Sequence, residues 1–228
     1  MNEHFIKENL MGPDSIVILA ELVKSLKLEK GMRVLDLGCG SGLTSIYLAE
    51  KFDLTVFAVD LWISATENWA RIKQAGVQDK VIPIHADAHD LPFAEEFFDV
   101  ILGVDSYHYF GTSDSFLISS FLPLVKKGSQ LAIAVPGLRE EFENGVPAEL
   151  KPYWQPEFNT FHSHTWWRNL WERSDLVEIV ESKDLTCHRQ AWENWLNSGN
   201  EYAQEDIPFI RADTNNRLST VSIVAIKK

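Results

Sequence analysis

The sequence predicts an α/β fold: a Rossmann-like, doubly wound sheet of seven strands, mostly parallel, with an antiparallel last strand and helices on both faces. Three observations predict it. Residues 34–37 (Val-Leu-Asp-Leu) read as a short buried strand that runs directly into Gly38-Cys39-Gly40-Ser41-Gly42 and then into a breaker-poor helical stretch, 43–51. About twenty residues on, a second apolar strand, 55–59, ends in Asp60. Short apolar runs then alternate with helical patterns along the chain, as in sheets built from βαβ units.

The glycine stretch organises the chain. Strand, tight turn and helix bring backbone N–H groups and the positive end of a helix toward a ligand, and glycine is required where backbone turns sharply or touches that ligand. The spacing separates ligand classes. A dinucleotide site carries G-x-G-x-x-G, whereas here the glycines fall at 38, 40 and 42, with Asp36 in front. Asp60 closes the second strand, where a carboxylate accepts from a ribose diol. The loop therefore predicts a nucleoside ligand, and Asp36 one with an ammonium group and no pyrophosphate.

Around this loop the other elements follow in order. Gly12-Pro13 breaks the chain, and residues 13–27 have helical spacing behind Asp14 and Ser15. Residues 64–76 read as a helix capped by Gly76, with Thr66, Trp69, Ala70 and Ile72 inward. Residues 81–86 form a proline-bearing third strand, and 98–104 a fourth, apolar enough to be buried on both faces. The fourth ends in Asp105-Ser106-Tyr107-His108-Tyr109-Phe110, at the rim where open α/β sheets bind ligands. A helix over 115–124, a turn at 126–129 and a fifth strand over 130–135 complete the core. Residues 136–156 are rich in proline and acid, partly helical from Glu140, and 158–171 are densely aromatic, with a helix opening at Thr165. A strand over 176–182, a helix over 188–195 and an alternating last strand over 219–226 finish the chain. One domain accounts for the whole: 1–30 a lid and helix, 31–135 a cofactor-binding core, 136–175 a substrate-side excursion, and 176–228 the C-terminal strands with a helical insert.

Composition narrows the partners. Lys plus Arg is 21 and Asp plus Glu 33, a formal net charge of −12, which argues against a nucleic-acid substrate and an anionic membrane surface. No apolar run is long enough for a membrane span, and neither a signal peptide nor a disulfide framework is evident from the N-terminus or the two cysteines, Cys39 and Cys187. A soluble cytoplasmic protein, monomeric or homodimeric, is expected. The histidines lack metal-ligand spacing, so no metal site is expected.

The D-L-G-C-G-S-G loop, Asp60, the segment 86–93 (Ala-Asp-Ala-His-Asp-Leu-Pro-Phe) and the strand entry 97–101 (Phe-Phe-Asp-Val-Ile) together resemble class I S-adenosylmethionine-dependent methyltransferases, in the style of the small-molecule branch that serves ubiquinone and menaquinone biosynthesis. The resemblance implies S-adenosyl-L-methionine as cofactor and in-line methyl transfer to an O, N or C nucleophile of a small molecule. It implies a cofactor shell of Asp36, Gly38, Cys39, Gly40, Asp60, Leu61, Trp62, Asp87, Ala88 and Asp105, with Asp87 on the adenine amino group, Leu61 and Trp62 over the ring, and the leading segment as a lid. His108, whose ordinary pKa lies near working pH, and Tyr107 are the candidate catalytic groups. Tyr109, His162, Trp166 and Trp167 are candidates for the acceptor pocket, since pockets are mostly apolar with a few placed polar groups. Two alternatives have their own signatures: a nicotinamide oxidoreductase, which the early third glycine opposes, and a non-catalytic cofactor-binding module.

Overall fold

The computed structural model describes the backbone of residues 1–228 and every side chain except that of Asp114. Seven strands form one sheet: β1 (Arg33–Leu37), β2 (Thr55–Asp60), β3 (Val81–His85), β4 (Phe98–Val104), β5 (Val125–Leu138), β6 (Val177–Asp184) and β7 (Leu218–Lys227), in the order 3-2-1-4-5-7-6. Only β7 runs against its neighbours. The order reverses at β1, so the crevice beyond its carboxyl end is where such a sheet binds ligands.

The helices form for local reasons. At α2 (Ser15–Leu22), Asp14 caps the N-terminus by accepting from the N–H groups of Ile16 and Val17. At α4 (Ala65–Ala75), Ser64 and Glu67 make a reciprocal capping box, and Gly76 closes the helix at φ 75. Two apolar layers sandwich the sheet. The layer containing Leu19, Ile46 and Ile72 also takes up Phe5 of α1 (Glu3–Asn9) and Trp195 of α7 (His188–Leu196). The opposite layer holds Tyr107, Phe121, Trp167 and Trp171.

Several boundaries differ from expectation. The first long helix stops at Leu22 and tightens into a 3-10 turn at Val23–Ser25. The inward face of α4 is Asn68 and Ile72, while Thr66, Trp69 and Ala70 are exposed. The helix expected over 115–124 is instead a single α turn, α5 (Asp114–Phe116), which widens into a π-helical turn at Leu117–Phe121 and closes as a 3-10 turn at Leu122–Leu124, where Pro123 limits continuation. β5 begins at Val125, and its register irregularity against β4 absorbs the expected turn around Gly128. The helix of the aromatic segment, α6 (His164–Glu172), is capped by Ser163, two residues before Thr165. Residues 140–150 are not helical. The C-terminal insert contains a second helix, α8 (Glu201–Ala212), which carries Pro208 inside it. An interior proline costs roughly 3 kcal/mol; burial of Ala203 and Phe209 offsets that cost. No helix among the described residues is long and apolar enough to cross a membrane.

Candidate functional site

The carboxyl ends of β1 to β4 converge on one cavity of about 300 Å³. Gly38, Cys39 and Gly40 line it from β1, Asp60, Leu61 and Trp62 from β2, Asp87, Ala88 and His89 from β3, and Asp105, Ser106 and Tyr109 from β4. A fifth wall comes from the leading segment, through Asn9, Met11, Gly12 and Pro13.

The loop is set by contacts at its base. Ser106 Oγ donates to the Leu37 carbonyl (2.6 Å), tying β4 to β1. This brings Ser106 so close that a Cβ on Gly38 would lie 2.3 Å from its Cβ, and Gly38 is also at φ 74. Only glycine fits there. The N–H groups of Gly38 and Cys39 donate to the Val59 carbonyl, that of Gly42 to Cys39, and that of Gly40 to Asp60 Oδ2 (2.7 Å). These four donors therefore turn into the protein rather than toward a ligand, which corrects the expectation of an N–H cradle at these positions. A pyrophosphate there would meet carboxylates instead of the loop donors that bind anions.

Asp60 is the hub of the second strand end. It is 7% exposed, and its other oxygen, Oδ1, accepts from the N–H groups of Trp62 (2.8 Å) and Ile63 (2.9 Å). Those bonds turn the chain so that Leu61 and Trp62 stand out at the rim, 52% and 67% exposed. Trp62 is therefore not a core residue. Asp87 is exposed, accepts from the N–H and Nδ1 of His89, and is held below the usual carboxylate range by those bonds.

Asp36 does not reach the cavity. It is fully buried beneath the loop, where its Oδ2 accepts from Thr44 and Ser45 (2.6 Å each) while Oδ1 has no partner. Burial pushes its pKa up to about 6, against the two hydroxyls, with Asp60 adding to the rise. Its expected contact with a ligand's ammonium is corrected: strand alternation points it at α3 (Leu43–Phe52) rather than at the rim.

The two candidate catalytic residues are likewise withdrawn. Tyr107 is 0% exposed, packed among Phe121, Trp167 and Trp171 with ring centroids 5.1–5.7 Å away. His108 is 1% exposed and has no partner for Nδ1, and burial lowers its pKa to about 3, so it is a neutral ring at working pH. Neither lines the cavity. The 3-10 turn at Tyr107–Tyr109 advances direction by a third of a turn per residue and presents Tyr109 outward instead. Tyr109 lines the cavity, half exposed, edge-on to Trp62 at 5.4 Å.

His162, Trp166 and Trp167 lie away from the cavity lining. His162 stacks on Trp166 at 3.7 Å and bonds to Glu141 (3.0 Å), and Trp167 is fully buried. Their placement as an acceptor pocket is corrected. The helix of the aromatic segment packs against β6 and β7, burying Trp167 and Trp171 in the layer that holds Tyr107. Cys39 is buried at the lining, and Ala88 sits beside it at 9% exposure.

Sequence reasoning missed Asp105's neighbours and the latch on the leading segment. Asp105 adopts φ 56, and Gly12 passes so close that a Cβ there would be 2.6 Å from Asp105 Oδ2. The leading segment is fastened to the loop: Ser41 Oγ donates to the Asn9 carbonyl (2.5 Å), and Arg71 Nε to Asn9 Oδ1 (2.8 Å). Asn68 in turn accepts from Arg71 and donates to the Gly40 carbonyl (2.8 Å). A polar residue on the inward face of an amphipathic helix, as Asn68 is, was the one available signal.

The strand order, the glycine turn after β1 and the carboxylates ending β2 and β3 define a class I methyltransferase fold. Residues 34–128 match the family model described as a methyltransferase domain. The chain is 29% identical over 197 residues to a phosphoethanolamine N-methyltransferase of Zea mays, covering 82% of this chain and 38% of that one. Over 89 residues it is 35% identical to the 27-O-demethylrifamycin SV methyltransferase of Amycolatopsis mediterranei, covering 39% of this chain and 33% of the relative. The chain thus spans well under half the length of these curated relatives. In three dimensions it resembles the geranyl diphosphate C-methyltransferase of Streptomyces coelicolor, with TM-score 0.72 and 17% identity over 94% of this chain and 78% of that one, a likeness of fold.

Proposed function

We propose that this protein transfers the methyl group of S-adenosyl-L-methionine to a small-molecule acceptor. The observation that carries this reading is the convergence of Asp60, Asp87 and the Gly38–Gly40 turn on one cavity, closed from outside by the leading segment. The residues present fit the cofactor. Asp60 and Asp87 offer carboxylate oxygens for a ribose diol and an adenine amino group, Leu61, Trp62 and Ala88 give apolar faces for the ring, and Gly38, Cys39 and Gly40 allow close backbone approach.

When bound, the cofactor supplies a methyl group already activated by a sulfonium. The chain's own residues then have to position and enclose. Ordering two reactants in line is worth roughly 7–11 kcal/mol, and the Asn9–Pro13 wall together with Trp62 and Tyr109 excludes water from the reacting end. His108, sealed and neutral, takes no part in this scheme. The inward-turned N–H groups of the loop weigh against a nicotinamide dinucleotide. The relatives' acceptors differ from one another by name, which supports a small-molecule acceptor without choosing one. The acidic balance supports a reaction without nucleic acid.

Calorimetry with S-adenosylmethionine, S-adenosylhomocysteine and NAD tests the cofactor assignment: the first two should bind and NAD should not. Transfer of labelled methyl to a metabolite extract then separates turnover from binding alone. Binding without any transfer leaves only a cofactor-binding module.

A further inference from the structure

The sulfur atoms of the chain stand in unequal positions. Of its three methionines, Met1 and Met32 are half-buried against the apolar layer that contains Leu19, and Met32 Sδ accepts from the Glu29 N–H (3.4 Å). Met11 is 49% exposed and forms part of the cavity wall. Its Sδ lies against the glycine turn: a Cβ on Gly40 would be 3.0 Å from it. The backbone is held on both sides of it. Asn9 is bonded to Ser41 and Arg71, and Gly12 passes against Asp105. The two cysteines are poor competitors for an oxidant, because the thiolate is their reactive form. Burial pushes the Cys39 thiol well up from its ordinary value, with Asp36 and Asp60 adding to the rise. Burial and then Glu21 push Cys187 up to about 12. A thioether needs no deprotonation, so its exposure decides. An oxygen added to Met11 Sδ finds poor surroundings at the turn. The N–H groups of Gly38, Cys39, Gly40 and Gly42 are all spent within the protein. The Asp60 carboxylate, bonded to the Gly40 N–H, repels the negative end of an S–O dipole.

We propose that Met11 is a reversible oxidation site on the wall of the cofactor cavity: a hydroperoxide converts it to the sulfoxide, and the cavity then holds its ligand more weakly. This rests on the methyl-transfer reading above. The thioether sulfur attacks one peroxide oxygen, the O–O bond breaks, and the leaving oxygen takes up a proton. Sulfur loses two electrons and the peroxide gains them; with hydrogen peroxide the products are one sulfoxide and one water. A methionine sulfoxide reductase reverses the change, two thiols supplying the electrons and becoming a disulfide. A flexible apolar side chain thereby becomes a polar one. Against Gly40 it must shed its hydration, and swung outward it leaves the Asn9–Pro13 wall incomplete. In either place the cavity is less well closed.

The test treats the full chain with hydrogen peroxide and follows it by peptide mass mapping and by calorimetry with S-adenosylhomocysteine. One oxygen should enter at Met11 before either other methionine or either cysteine is modified. The singly oxidised chain should bind S-adenosylhomocysteine about fivefold more weakly, and a methionine sulfoxide reductase with dithiothreitol should restore the parent value. Without ligand, the oxidised chain should also be clipped faster before Gly12. Met11→Leu should show no change in affinity or clipping on peroxide treatment, whatever its own starting values. Met11→Gln, which places a polar group there without oxidation, should reproduce the loss. First oxidation at Met1, Met32 or a cysteine overturns the proposal, as does an oxidised Met11 that binds and is clipped like the parent. A Met11→Leu chain that still loses affinity to peroxide overturns it too, and moves the effect to another sulfur. Failure of the untreated parent to bind S-adenosylhomocysteine would instead remove the methyl-transfer reading itself, while the order of oxidation and the clipping still decide whether Met11 is the site.

Discussion

The Gly40 N–H donates to Asp60 Oδ2 at 2.7 Å, so the carboxylate that ends β2 also holds the turn that follows β1. With Trp62 and Ile63 on its other oxygen, Asp60 satisfies three backbone donors at once. The residue proposed to hold the ribose is thus also a structural brace.

Asp60→Ala should therefore lose more than ligand affinity. Three N–H groups lose their acceptor, each worth about 1 kcal/mol or more where water cannot replace it. We expect S-adenosylhomocysteine affinity to fall at least about tenfold and the melting temperature to drop by several degrees. Asp60→Asn, which keeps one carbonyl acceptor, should fall between. Calorimetry and thermal unfolding check both; unchanged binding in Asp60→Ala would remove the ribose role.

Gly38→Ala tests the packing of β4 against the turn. The new Cβ meets Ser106 at 2.3 Å with φ at 74, so backbone strain and overlap add, at a cost of about 3 kcal/mol or more. Gly31→Ala has a similar φ of 82 but open space around it, and should cost only about 1–2 kcal/mol. Urea unfolding of the two variants isolates the overlap. Equal losses would mean that Ser106 simply moves aside.

His108 and Asp36 predict opposite pH dependences. Burial depresses His108 to about 3, so its contribution to stability is present above the unfolded value near 6.5 and is lost as pH falls from there toward 3. His108→Phe should be less acid-sensitive across that window and should keep its methyl-transfer activity. Asp36 is raised to about 6, so its contribution is present below the unfolded value of 3.8 and is lost as pH rises through 6. Asp36→Asn should match or exceed the parent at pH 8, by on the order of 1–3 kcal/mol, with the gap closing toward pH 4. Denaturation at several pH values measures both.

Arg71 joins the leading segment to the glycine turn through Asn9 and Asn68. Arg71→Ala should free residues 1–12 without unfolding the sheet, because the salient contacts are local. Faster proteolytic clipping before Gly12 and a several-fold weaker S-adenosylhomocysteine affinity are expected. Unchanged clipping would assign the hold to the Ser41 bond and the burial of Phe5 and Leu10 instead.

The sequence by itself determined the sheet and the position of the crevice. Strand runs, glycine spacing and terminal carboxylates are periodic or adjacent in the chain, so Gly38, Asp60 and Asp87 are legible in the sequence as neighbours of one crevice. Only the tertiary structure decided which members of the stretch 105–110 face that ligand. A 3-10 turn, whose direction depends on what packs behind it, buried Tyr107 and His108 and exposed Tyr109. Tertiary packing likewise buried Trp167, left His162 and Trp166 half-buried away from the cavity, and turned Asp36 inward, because burial is settled by surfaces that meet across the fold and not by residues that adjoin along the chain. The approach of Gly12 to Asp105 spans more than ninety residues and left no local pattern to read.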